Sequence, residues 1–138
     1  MKSLQTLLKV AQRRMDELGV EAAKIQVKVD ELHQKHAGII AREQQEIAAA
    51  QQDSMFASML PAYRMRVKQQ VADVQGQISA MDNVLEGIRA KLQAAYIEKS
   101  KFEHLIEQET KRIAAERQSQ EQAMLDEVAI NRAGSTNK

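Results

Sequence analysis

LQTLLKVAQRRMDELGVEAAKIQVKVDELHQKHAGI, residues 4–39, is the stretch that decides the fold. Stepping alternately by four and three from Leu4 gives Leu8, Ala11, Met15, Leu18, Ala22, Ile25, Val29, Leu32, His36 and Ile39. Only His36 is polar. Such spacing keeps one apolar stripe on one side of a slightly underwound helix and drives left-handed supercoiling against a partner. Between the stripe positions lie Lys, Glu, Gln and Arg, as solvent requires. The same stepping after residue 66 gives Val67, Val71, Val74, Ile78, Met81, Leu85, Ile88, Leu92, Ala95, Lys99, Phe102, Ile106, Glu109 and Ile113, with Lys99 and Glu109 as polar interruptions. Beyond Ile113 the register thins, although Met124, Leu125, Val128 and Ile130 still form an apolar patch.

Composition supports long helices. Aromatic residues are 3% of the 138, with no Trp, five Gly and one Pro. Ala, Gln, Glu, Lys, Leu and Met dominate, and all are good helix formers. A compact core would draw on aromatics, and its turns on Gly and Pro. The net charge is +1 with both signs interspersed. Apart from the local cluster Arg64, Arg66 and Lys68 there is no concentrated basic face, so nucleic acid is not an expected partner. The absence of Cys excludes disulfides and thiolate sites and fits a reducing compartment. No stretch has the roughly 18 apolar residues of a membrane span, so no direct membrane insertion is expected and the cytoplasm is the expected location.

Between the stripes lies QQDSMFASMLPAY, residues 51–63, with the only Pro at 61 and two candidate N-caps, Asp53 and Ser58. Proline disfavours helix in the residue before it and lacks a donor, but it is tolerated in a first helical turn. A turn at about 53–60 follows. The expected fold is all-α: a long antiparallel two-helix coiled-coil hairpin forming a single domain over 1–138. Helix 1 is placed at about 3–52 and helix 2 at about 61–131, with a frayed polar tail over 132–138. The alternative is a single kinked helix that dimerises in trans. A seam on both arms and a short connection favour the hairpin. With the turn near residue 57, facing residues sum to roughly 115 by the symmetry of an antiparallel pair. Leu4 then lies opposite Lys111, and Lys99 near Asp16 and Glu17 as a register-fixing polar contact. The chain past that point is a C-terminal helical overhang, marginal alone in water and stabilised by docking.

Candidate chemistry is thin. His33 and His36 are spaced to share a metal face, but no third ligand is near, and a lone polar seam residue such as His36 more commonly specifies register. His104 sits among Glu103, Glu107 and Glu109, an exposed ion-pair face rather than a sheltered acid–base pair. Gly19, Gly38, Gly76 and Gly87 inside the helices read as tolerated flexibility or, more sharply, as points of close backbone approach or bending. No phosphate-binding Gly-rich loop is present. A two-helix core offers no concave pocket. Neither a catalytic residue nor a metal ion or cofactor is therefore expected, and the chain is not expected to be an enzyme. The turn region concentrates Met55, Phe56, Met59, Leu60, Tyr63 and Met65 where polar residues are usual. Some of them cap the coiled coil, and the excess suits an adaptable docking surface.

Two segments carry a family resemblance: KSLQTLLKVAQRRMDEL at residues 2–18 and YIEKSKFEHLIEQETKRIAAERQSQEQAMLDEVAINRA at residues 96–133. Together they resemble the FliJ family, the stalk proteins of the bacterial flagellar type III export apparatus, particularly its alphaproteobacterial forms. The resemblance implies a fold like the central stalk of rotary ATPases. It also implies three partners: the hexameric flagellar export ATPase, the export gate membrane protein and export chaperones, which such proteins help to recycle. Carried onto this sequence, it implies that the end bearing both termini enters the ATPase ring, with Leu4, Leu7, Leu8, Arg112, Arg117, Met124, Leu125 and Val128 as contacts. The gate contact falls on the turn cluster of Met55, Phe56, Met59, Leu60 and Tyr63. A cytoplasmic protein associated peripherally with the inner membrane at the flagellar base is implied. Three other readings fit a coiled coil of this kind: a generic scaffold, a secretion chaperone, and the stalk of a virulence-type secretion system.

Overall fold

A computed structural model describes residues 1–136 and the side chains of residues 1–134. It has two elements, α1 (Lys2–Ala50) and α2 (Ser54–Thr136), and no strand among the described residues. The architecture is the expected all-α pair of helices, packed as an antiparallel hairpin. The chain forms two compact units: Met15–Ala94, which contains the hairpin turn, and Met1–Arg14 with the part of α2 from Ala95 onward.

In the hairpin unit the seam residues are the ones withdrawn from water. Leu18, Val29, Ala50, Val67, Val74, Leu85 and Ile88 are buried. Met15, Ala22, Ile25, Leu32, His36, Ile39, Val71, Ile78, Met81 and Leu92 are half-buried. The core is one layer thick, and even Val29 and Val74 keep 3% exposure. Each seam side chain meets only the opposite helix, so burial is shared along many positions instead of concentrated at a centre.

The seam runs further than the apolar pattern indicated. It continues through Glu43, Ile47 and Ala50 on α1 and through Leu60 and Tyr63 on α2. Both helices take two successive steps of four, 39–43–47 and 63–67–71, and these fall at one level, because Glu43 shares a trough with Arg64, Val67 and Val71. Such a paired stutter relaxes the left-handed supercoil locally.

The turn lies earlier than expected. Residues 51–53 form it, and α2 begins at Ser54. Asp53 is the N-cap: its carboxylate Oδ1 accepts from the Met55 amide at 2.9 Å, and its carbonyl accepts from the Ala57 amide at 3.0 Å. Ser58, the other candidate cap, is inside the helix and its hydroxyl donates back to the Met55 carbonyl at 2.7 Å. Pro61 therefore lies inside α2, not in its first turn, and the carbonyl of Ala57 loses its helical donor.

With the earlier turn, facing residues sum to roughly 110 and not 115, a shift of little more than one helical turn. Lys28, Glu31 and Leu32 share a trough with Gln77, Ala80 and Met81. Lys99 makes an ion pair with Glu103 on its own helix, at 3.6 Å. In the other unit Ala11 and Ala95 are buried, while Leu4, Leu8, Lys99, Phe102, Ile106, Glu109 and Ile113 are half-buried. The helix runs on to Thr136 where fraying was expected from 132; residues 137 and 138 lie outside the described residues.

The internal glycines are not points of close approach. A Cβ at Gly19, Gly38, Gly76 or Gly87 would meet nothing within 4 Å.

Candidate functional site

The C-terminal part of α2 is where pairing stops. From Ala114 to Gly134 every residue is exposed. Arg117, Met124, Leu125 and Val128 all belong to this segment, together with Ile130, which is 69% exposed. Leu125 and Val128 are three apart and lie on one face; Met124 flanks them. Of the N-terminal candidates, Leu7 is exposed, whereas Leu4 and Leu8 are half-buried in the seam. They hold the helices together and are not free for a partner.

Arg112 sits at the base of this segment and is occupied. It donates from Nη2 to Glu109 Oε1 at 2.7 Å, from Nε to Glu109 Oε2 at 3.1 Å, and from Nη1 to Glu116 Oε2 at 3.1 Å. The fork-on-fork bond to Glu109 is the strong geometry for this ion pair. It holds the Glu109 carboxyl below the usual carboxylate range, and the Met1 amino group adds to the effect; Glu109 in turn raises the Arg112 pKa. Lys111 pairs with Glu107 at 3.1 Å. Arg117 makes no ion pair among the described residues, so of the two candidate arginines it is the one with its charge available.

The second surface is the hairpin turn. Met55 and Met65 are 72% and 75% exposed, and Phe56 and Met59 are also exposed. Leu60 and Tyr63 are half-buried because they belong to the seam. The turn cluster thus divides: Leu60 and Tyr63 close the end of the coiled coil, and the three methionines and Phe56 are surplus to it. Phe56, Met59, Leu60 and Tyr63 line an open trough with Glu46 and Arg66.

The Glu109–Arg112–Glu116 network was missed in the sequence, although its signal, acid–x–x–Arg–x–x–x–acid at helical spacing, is present in EQETKRIAAE. The charged seam residue Glu43 was also missed, because a carboxylate does not register as a stripe position. His33 and His36 do share a trough, with Gln75, Ile78 and Ser79, but no group of three potential metal ligands occurs among the described residues. No helix among them is long and apolar enough to cross a membrane.

Two paired helices, open troughs between them and apolar side chains left exposed at a helix end define a class: helical proteins organised around contacts with other macromolecules. The model of the family described as flagellar FliJ protein matches residues 1–138. The chain belongs to the FliJ family and is a component of the flagellar protein export apparatus. No curated protein and no solved structure matches it.

Proposed function

We propose that this chain is the non-enzymatic stalk of the export apparatus, coupling the hexameric export ATPase to the export gate and assisting the recycling of export chaperones. One observation carries the reading: the segment from Ala114 to Gly134 is exposed throughout, yet it bears Met124, Leu125, Val128 and Ile130. A lone helix with apolar side chains in water gains free energy by docking, and the pore of a ring is one such dock. Arg117 is the leading charged contact, Arg112 enters once its carboxylate partners are exchanged, and Leu7 is the contact from α1. Leu4 and Leu8 position it. Met55, Phe56 and Met59, supported by Leu60 and Tyr63, face the gate, which places the chain at the cytoplasmic side of the inner membrane.

The mechanism is allosteric. One asymmetric helix in a sixfold ring contacts its subunits unequally, and only unequal contacts shift their conformational equilibrium. The test is to mix the full chain with the cognate ATPase and measure turnover and ring formation. Stimulation of both is expected. Truncation after Ile113 removes no paired turn and is expected to abolish stimulation while the remaining chain stays helical by circular dichroism. Full stimulation by the truncated chain would show that the ring contact lies elsewhere.

A further inference from the structure

The charge pattern around the hairpin turn points to a partner of its own. From Ile47 to Tyr63, IAAAQQDSMFASMLPAY, the only charged side chain is Asp53, in a chain that is 28% charged. Asp53 is already engaged as the N-cap of α2, where the helix N-terminus offsets its charge. Met55, Phe56, Met59 and Met65 are exposed. On α2 the charged residues that follow are Arg64, Arg66 and Lys68, and no acid occurs again until Asp73. On α1 the flanking charges are Arg42, Glu43 and Glu46. Arg64 and Lys68 line the trough with Glu43, Arg66 the trough with Glu46, and none of the three makes an ion pair among the described residues.

An apolar end whose one charge is the capping Asp53, above a net basic surround, matches the electrostatic profile of a bilayer surface. Apolar side chains enter the headgroup boundary to a depth of about 5–10 Å while cations a turn or more behind them meet the phosphates. Along α2 the distance from Met59 to Arg64 is about 7.5 Å at the helical rise, so both requirements fit on one helix end. Flexible methionines need no fixed register with what they touch. We infer that the hairpin turn, through Met55, Phe56, Met59, Arg64, Arg66 and Lys68, adsorbs to anionic phospholipid bilayers without spanning them. This contact does not depend on the stalk reading, since it requires neither the ATPase nor the gate.

The experiment is flotation of the full chain with vesicles of phosphatidylcholine alone or mixed with phosphatidylglycerol. Binding to the anionic vesicles is expected, weakening as salt rises, with little on phosphatidylcholine alone. The variant Arg64→Gln/Arg66→Gln/Lys68→Gln is expected to bind about 100-fold more weakly, since each cation near an anionic surface contributes about a fivefold factor. Met55→Ser/Met59→Ser is expected to bind less well with its charge unchanged. Circular dichroism checks that both variants stay helical. Failure to bind anionic vesicles at low salt overturns the inference, as does undiminished binding by the triple cation variant. Tip variants that lose affinity for a gate protein in lipid-free solution, while the parent chain ignores vesicles, would assign the surface to protein instead.

Discussion

Individual seam positions carry the balance between stability and register. Glu43 occupies a seam position, is half-buried and makes no ion pair among the described residues. A polar group at such a site costs stability, and an apolar replacement of similar size recovers it. Glu43→Leu is expected to raise the free energy of unfolding by about 1 kcal/mol, read from the urea midpoint at constant slope. A decrease would mean that Arg64 or Lys68 compensates the carboxylate in solution. Asp53 acts in the opposite sense. Asp53→Ala removes the acceptor for the Met55 amide and is expected to cost about 1 kcal/mol in the same measurement. An unchanged midpoint would make Ser54 or water an equal cap.

At the scale of elements, α2 is the less regular helix near its start. Pro61 leaves the Ala57 carbonyl without its helical partner, and the residues before Leu60 pack against nothing that buries them. Pro61→Ala restores the donor and is expected to stabilise the hairpin by up to about 3 kcal/mol. Amide hydrogen exchange over residues 54–60 should slow in that variant; unchanged exchange would show that the proline does not limit the opening of this segment. The helix interiors elsewhere have room to gain. Gly87 has open space where a Cβ would stand, so Gly87→Ala is expected to raise stability by about 1 kcal/mol through the unfolded chain alone. Loss of stability on that change would reveal a partner seated against this face of α2. The double stutter at 39–43–47 and 63–67–71 is legible only after both helices are laid side by side, because each run alone reads as a seam that lapses.

For the whole molecule, pairing within one chain makes unfolding unimolecular. The thermal midpoint is expected to be independent of protein concentration, whereas a trans-paired dimer would melt higher as concentration rises. A midpoint that climbs over a hundredfold concentration range would return the fold to the kinked-helix alternative. Charges of both signs are spread along the chain with a net of +1, so the contrast between the sparsely charged turn and its surroundings is local and not a property of the total.

Much of this fold was readable from spacing. The stripe from Leu4 to Ile39 and the stripe from Val67 to Ile113 are withdrawn from water, together with Glu43, Ile47, Ala50, Leu60 and Tyr63 nearer the turn, and unbroken exposure begins at Ala114, where the second stripe ends. Spacing suffices because a helix has one period and a two-helix core has one layer, so each apolar position has one place to go. The same logic makes the apolar residues 124–130 visible as a surface in search of a partner. Tertiary structure alone decided the turn and the facing partners. Asp53 and Ser58 are equal as caps on paper, and Pro61 reads as a helix start until the packing of Leu60 and Tyr63 draws α2 back to Ser54. Whether an arginine is free depends on which carboxylates its rotamer reaches. Local pattern sets which face of a helix is apolar; only the energy of two helices packed together sets which residue meets which.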